Sequence, residues 1–401
     1  MTRDTIGQFR EWFWRPPRAH GEVERDRSVS FLELLYDLVY VAVIAQAAQR
    51  LAEDVSVGRF VEFAIVFTLI WIAWVNGTLY LELHGREDGR TRLFVFVQMG
   101  ILALLAVFTG IAADDVGGAR FALAYVAFLA VQTWMWNSVR RLDTPEVARV
   151  TLLYEVVLLA SAAVILGSAF MAPGLRVVVW AAFGLVWIAA MIVLGFRSRS
   201  FSIGVTPTHS MAERFGLFII IVLGEVIFGV VEGLSSADQD LITIGTGSLA
   251  LVVGLGLWWI HFDLVGRREP RAEGRAISTW ILSHLPITLA IGAAGAAMVS
   301  LIEHAHDPVA PEMTAWLLAG SVAVVLVGQI IHAWSLSDAR RLADAYRVLT
   351  IAMGLAAVAA LAVGWVRPAP WLLALLLGLI LLVLWFVAVA TFIRAKAWPT
   401  G

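Results

Sequence analysis

A chain of 401 residues that is 60% hydrophobic and only 15% charged carries too little polar side chain for a soluble domain, where about a quarter of residues are charged; it reads as an all-α polytopic membrane protein. It has no cysteine, which excludes disulfides, thiolate nucleophiles, Cys-ligated zinc and iron–sulfur clusters. The formal net charge of −2 is close to zero, so the distribution of charge carries more information than its sum, and no nucleic-acid partner is expected.

The first 30 residues are polar and hold Arg3, Arg10, Arg15, Arg18, Arg25 and Arg27. They lack the short apolar core and small-residue cleavage site of a secretory signal and read as a cytoplasmic tail. Trp12, Phe13 and Trp14 beside these arginines suit either a membrane surface or a plain tail. Twelve apolar runs follow, at 31–52, 60–83, 92–113, 119–139, 147–170, 174–196, 210–232, 241–265, 277–302, 313–335, 344–366 and 370–393. Each is long enough to cross a hydrocarbon core of about 30 Å as a helix. Strand-like alternation is absent, and a helix satisfies its own backbone in lipid.

The charges between the runs set an orientation. With the N-terminus inside, the outer segments hold only Arg50, Arg59, Arg120, Arg176 and Arg367, against all the rest of the 29 lysines and arginines inside. A missed span would scramble this alternation, so both termini are expected in the cytoplasm, with the chain in a membrane that bounds it.

The two halves echo one another. Trp74-Val75-Asn76 matches Trp259-Ile260-His261, Arg140-Arg141-Leu142 matches Arg340-Arg341-Leu342, Arg149-Val150 matches Arg347-Val348, and Glu33 lines up with Glu213. The shared offset of about 180–200 residues predicts two parallel six-helix repeats related by an axis along the membrane normal. The expected organisation is a tail at 1–30, a first repeat at 31–200, a second at 201–396 and a C-terminal tail at 397–401, with a polar cavity between the repeats.

Polar residues sorted by depth give the candidate site. Asp37, Asn76, Gln98, Asn137, Glu155, His261, Asp263, His284 and His332 fall in the cytoplasmic half of their helices, and Glu33 and Glu213 lie near the cytoplasmic ends. Gln46 and Glu225 lie beyond the middle. An ionisable group at membrane depth costs about 2.5–3.5 kcal/mol on insertion scales, so it normally faces a partner or a water-filled path. Glu225, inside the apolar stretch from His209 to Gly233, is the sharpest case. Glu33 and Asp37 share one helix face, as do His209 and Glu213, whereas His261 and Asp263 point to different sides. Gly224 is expected to admit a neighbouring helix beside Glu225. Pro286 removes a backbone donor beside His284 and frees a carbonyl there. For Glu33, Glu213 and Asp263 an arginine pair or snorkelling is the plainer reading. For Asn76, Gln98, Gln132 and Asn137 it is hydrogen bonding between helices. No metal motif, phosphate loop or nucleophile elbow occurs, so neither a metal nor a cofactor is expected.

Four stretches carry a family likeness. They are Glu33-Leu34-Leu35-Tyr36-Asp37-Leu38-Val39-Tyr40-Val41, Glu213-Arg214-Phe215-Gly216-Leu217-Phe218 continuing to Leu223-Gly224-Glu225, Trp258-Trp259-Ile260-His261-Phe262-Asp263, and His284-Leu285-Pro286. On these the chain resembles the bacterial low temperature requirement A (LtrA) family of integral membrane proteins over nearly its whole length. Ile260-His261 stands where the resemblance implies a Leu-Tyr-like pair, which makes a role for His261 particular to this chain. The resemblance implies the architecture and no reaction. The two-times-six layout is also similar to twofold six-helix potassium channels, in layout alone, because their Phe-Ser-Asp motif is absent.

The leading expectation is a secondary transporter or channel-like permease for a small solute or cation. Asp37 and Glu225 are its coupling carboxylates, and Asn76, Gln98, Glu213, His261, Asp263 and His284 line the path. An intramembrane enzyme acting on a lipid or isoprenoid is the alternative, with Asp37 and Glu225 as general acids. A scaffold without turnover is the third reading. Membrane lipids and a second copy of the chain are the expected macromolecular surroundings.

Overall fold

The computed structural model of the chain describes residues 28–86, 88–197, 208–266 and 268–395, with Gly7, Phe13, residues 16–19 and Glu22 before them. The C-terminal tail at 397–401, Trp12, Trp14 and all six N-terminal arginines except Arg18 lie outside the described residues. The rest forms twelve helices long and apolar enough to cross a membrane, with no strand among the described residues. They are α1 Phe31–Glu53, α2 Val57–His84, α3 Gly89–Thr109, α4 Asp115–Arg140, α5 Pro145–Ser168, α6 Pro173–Arg197, α7 His209–Ser236, α8 Leu241–Leu264, α9 Gly274–Glu303, α10 Glu312–Ala333, α11 Ala343–Val366 and α12 Pro370–Arg394. The shortest has 21 residues and the longest 30, so each reaches about 30 Å or more at 1.5 Å per residue. All twelve runs read from the sequence are helical.

Local chemistry fixes where the helices begin. The Asp88 carboxylate accepts the Thr91 N–H at 2.8 Å, and Asp240 accepts those of Ile242 and Thr243 at 3.0 and 2.9 Å, satisfying amides that have no partner inside the helix. Pro145 and Pro370 open α5 and α12, where a missing N–H is harmless. Ser30 and Glu33 close on each other at the start of α1. The Ser30 amide and hydroxyl donate to Glu33 Oε2 at 3.0 and 3.1 Å, and the Glu33 amide donates to Ser30 Oγ at 3.3 Å. This is a capping box, and the Ser-x-x-Glu spacing ahead of an apolar run is its sequence signal. It gives Glu33 a helix-start role.

The helices group into two compact units. One comprises Met1–Gln46, Ile65–Leu194 and Ser200–Met211; the other comprises Ala47–Ala64, Gly195–Arg199 and Ala212–Gly401. In the first, α4 packs between α3 and α5. Gln98 Nε2 donates to Gln132 Oε1 at 3.0 Å, and the Tyr125 hydroxyl donates to the Leu69 carbonyl at 2.9 Å. At one end of this unit Arg176 is fully buried, and its guanidinium donates to the carbonyls of Asp115, Met171, Ser168 and Asp114 at 2.8 to 3.1 Å. The sequence counts Arg176 only as an outer-loop charge; the fold uses it to tie together helix ends.

In the second unit α9 is the central helix, with 89% of its apolar window buried, against 39% for α8 and 33% for α11. Pro286 sits inside it, and the hydroxyl of Thr288 donates to the His284 carbonyl at 2.7 Å. This is a side-chain bond back to the carbonyl one turn earlier, in the turn that follows the proline. Helices α7 and α9 approach most closely through glycines. A Cβ on Gly229 would stand 2.3 Å from the Gly295 carbonyl oxygen, and one on Gly295 would stand 2.7 Å from the Glu225 carbonyl oxygen. The sequence reading gave this role to Gly224, and the structure corrects it: a Cβ on Gly224 meets nothing within 4 Å. Gly229 and Gly233 have the small-xxx-small spacing that lets backbones meet in a bilayer.

Candidate functional site

The second unit holds the two groups of interest. Glu225 lies on α7 and is 6% exposed, and its Oε1 atom is buried without a hydrogen-bond partner. Its backbone is fixed against α9 by the Gly295 contact, so the position of the carboxylate is set by two helices. Glu232, two turns further on, is exposed.

The second group is a cluster of three buried imidazoles on α8, α9 and α10. His284 and His332 have ring centroids 4.8 Å apart, and His261 lies 6.3 Å from the first and 6.0 Å from the second. Trp280 packs edge-on at 4.5 Å from His284, and Phe215 of α7 closes the same side at 4.8 Å. Each ring is anchored through Nδ1. His284 Nδ1 is 2.7 Å from the Trp280 carbonyl, His332 Nδ1 is 2.9 Å from Ser283 Oγ, and His261 Nδ1 is 2.8 Å from Gln329 Nε2. The Nε2 atoms of His261 and His332 are buried and have no partner. The His261 ring is also the reason for a glycine at 266, where a Cβ would stand 2.8 Å from Nε2. Among the described residues no three histidine, aspartate or glutamate side chains are placed to hold a metal ion, this cluster included.

The structure brings His261 and His284 together and adds His332, which the sequence ranks only as a polar residue of the same half. Asp263 does not join them. It accepts the Trp385 indole N–H at 2.8 Å, and Trp385 stacks on Trp259 at 5.3 Å, so its partner is an indole and not an arginine. Glu213 and His209 are exposed at the start of α7, next to the buried Arg214 and Ser210 respectively.

The remaining candidates lie in the first unit. Asp37 is wholly buried and accepts the Trp74 indole N–H at 2.9 Å, beside the Tyr36 and Tyr40 hydroxyls, which are 3.0 Å apart. Asn76 donates to the Ile72 carbonyl at 2.7 Å and accepts from the Tyr154 hydroxyl. Gln98 is engaged by Gln132, leaving Gln98 Oε1 and Gln132 Nε2 buried without partners. Glu155 is held by Arg140 Nε at 3.0 Å and by Asn137 Nδ2 at 3.3 Å. A shallow groove lined by Leu264, Val265, Ile330, Ala333, Tyr346 and neighbouring side chains contains none of the predicted site residues.

The family profile described as bacterial low temperature requirement A protein (LtrA) matches residues 28–390. The uncharacterized protein RA0937 of Rhizobium meliloti (strain 1021) is 29% identical over 281 residues, a match that covers 64% of this chain and 66%, just under two thirds, of the relative. With twelve membrane-length helices and a profile match across nearly all of them, the chain belongs to the LtrA family of bacterial membrane proteins.

Proposed function

We propose that the chain is a proton-coupled secondary transporter or channel-like permease of the bacterial inner membrane, moving a small solute or cation. Glu225 is the carboxylate that takes up and releases the proton. The observation that supports this is the Glu225 Oε1 atom, buried in the apolar part of α7 with no donor to meet it. Other buried or half-buried carboxylates are met by donors, Glu155 by Arg140 and Asn137, Asp263 by Trp385 and Asp37 by Trp74. Leaving a buried acceptor unpaired costs about 1–3 kcal/mol, and more when it is charged, so an unpaired one suits a group whose partner is transient. Asp37, anchored by Trp74, is the second coupling carboxylate.

In this reading the two six-helix halves are repeats in parallel orientation, and both termini face the cytoplasm, as the arginine distribution favours. The test is proton movement in proteoliposomes under an imposed gradient. Wild type carries protons, Glu225→Gln inserts normally and carries none, and Asp37→Asn is strongly reduced. Wild-type flux in both variants would overturn the coupling role.

A further inference from the structure

We propose that His261, His284 and His332 form a shared proton-binding site, in which one excess proton is held among three imidazoles. This rests on the reading of the chain as a proton-coupled carrier and adds a second station to it. The anchors of the three rings differ in kind. The Trp280 carbonyl can only accept, so His284 carries its hydrogen on Nδ1, and its lone pair is on Nε2. The Ser283 hydroxyl can act either way. It lies 2.7 Å from the Trp280 carbonyl and 2.9 Å from His332 Nδ1. With its hydrogen on Trp280 it accepts from His332; rotated, it donates to His332.

Gln329 has the same freedom. Its Nε2 faces His261 Nδ1 at 2.8 Å while its Oε1 is buried and unbonded, so turning the amide over exchanges a donor for an acceptor. His261 and His332 can therefore change which nitrogen bears hydrogen without losing their anchors, while His284 stays fixed. Histidines kept only for packing have no use for two buried, partnerless Nε2 atoms, and these two rings have them.

A proton taken up forms an N–H bond at Nε2 of His261 or of His332, the ring nitrogens that no protein group meets, and its release breaks that same bond and leaves the ring neutral. Charges at these separations repel strongly in a medium of low dielectric, which limits the cluster to one extra proton. The charged groups on the surrounding helices are Glu213, Arg214, Glu225 and Glu232 on α7, Asp263 on α8, Arg275 and Glu303 on α9, and Glu312 at the far end of α10. Of these, Glu213 is exposed and Asp263 is turned to Trp385.

The test is nuclear magnetic resonance of isotope-labelled histidine in the full chain in lipid nanodiscs, between about pH 8 and pH 4, which brackets the range where histidine changes charge. The eight histidines are assigned from single substitutions. The expected result is that the three rings change together and gain one proton between them. Ser283→Ala locks His332 in one tautomer and Gln329→Met locks His261, with His284 unaltered in both. Three independent titrations, or rings that keep one tautomer at every pH in wild type, would overturn the proposal. So would Zn²⁺ at equimolar concentration shifting all three rings, which would make the cluster a metal site. The measurement needs no transport: wild-type flux in Glu225→Gln would contradict the carboxylate's coupling role and leave a positive result here standing.

Discussion

Asp240 and Glu225 are both acidic side chains of the second unit, and their surroundings give them different work. Asp240 stands before α8, outside the apolar span. The Thr243 backbone N–H holds its carboxyl below the usual carboxylate range, with further help from the Thr243 side chain, His306 at 2.8 Å and the Ile242 N–H. A carboxylate whose value is lowered by folding stabilises the fold above its ordinary value of about 3.9, and that contribution is lost as pH falls through the lower folded value. Hydrogen exchange at Ile242 and Thr243 should therefore quicken only in strong acid, and Asp240→Ala should show the same fast exchange at neutral pH. Unchanged protection in that variant would remove the cap from the account.

At this same scale the sequence was partly legible. The depth of Glu225 could be counted from the helix ends, and the Ser30–Glu33 capping box follows from four adjacent residues. The partners of Asp37 and Asp263 could not be read, because the indoles that hold them come from residues 37 and 122 positions away.

The contacts between helices depend on which small residues meet. Gly295 and Gly224 offer a matched comparison. Gly295→Ala would place a methyl 2.7 Å from the Glu225 backbone, where only a movement of the helices can make room, and should lower stability by about 1–3 kcal/mol. Gly224→Ala meets open space and should be neutral or slightly stabilising, since alanine is the better helix former. Thermal unfolding in detergent separates them, and equal melting temperatures would contradict the packing. Arg176→Lys should cost about 2 kcal/mol in the same assay, because an ammonium cannot reach the carbonyls that the planar guanidinium serves. The motif around Gly229 is visible in the sequence. What it meets is not, since several glycines along α7 have the same composition and only one face touches α9.

For the molecule as a whole, twelve helices were legible because a bilayer demands a fixed length of apolar chain and internal hydrogen bonding from each span. The histidine cluster was not, because His261, His284 and His332 come together only when α8, α9 and α10 pack side by side. All three could be sorted by depth, but nothing in the spacing of residues on separate helices announces their contact. The orientation carries its own test. Reporter fusions at the C-terminus and after α6 should both report the cytoplasm, while a fusion between α11 and α12 should report the outside; a periplasmic C-terminus would contradict the arginine-based orientation.

In the proposed role, Glu225 exchanges a proton with water from within the apolar span of α7. The most direct measurement is infrared difference spectroscopy of the protein in lipid as the pH is stepped. A protonated-carboxyl band should grow on acidification, shift in D₂O and be missing from Glu225→Gln. Identical difference spectra from wild type and Glu225→Gln would contradict it.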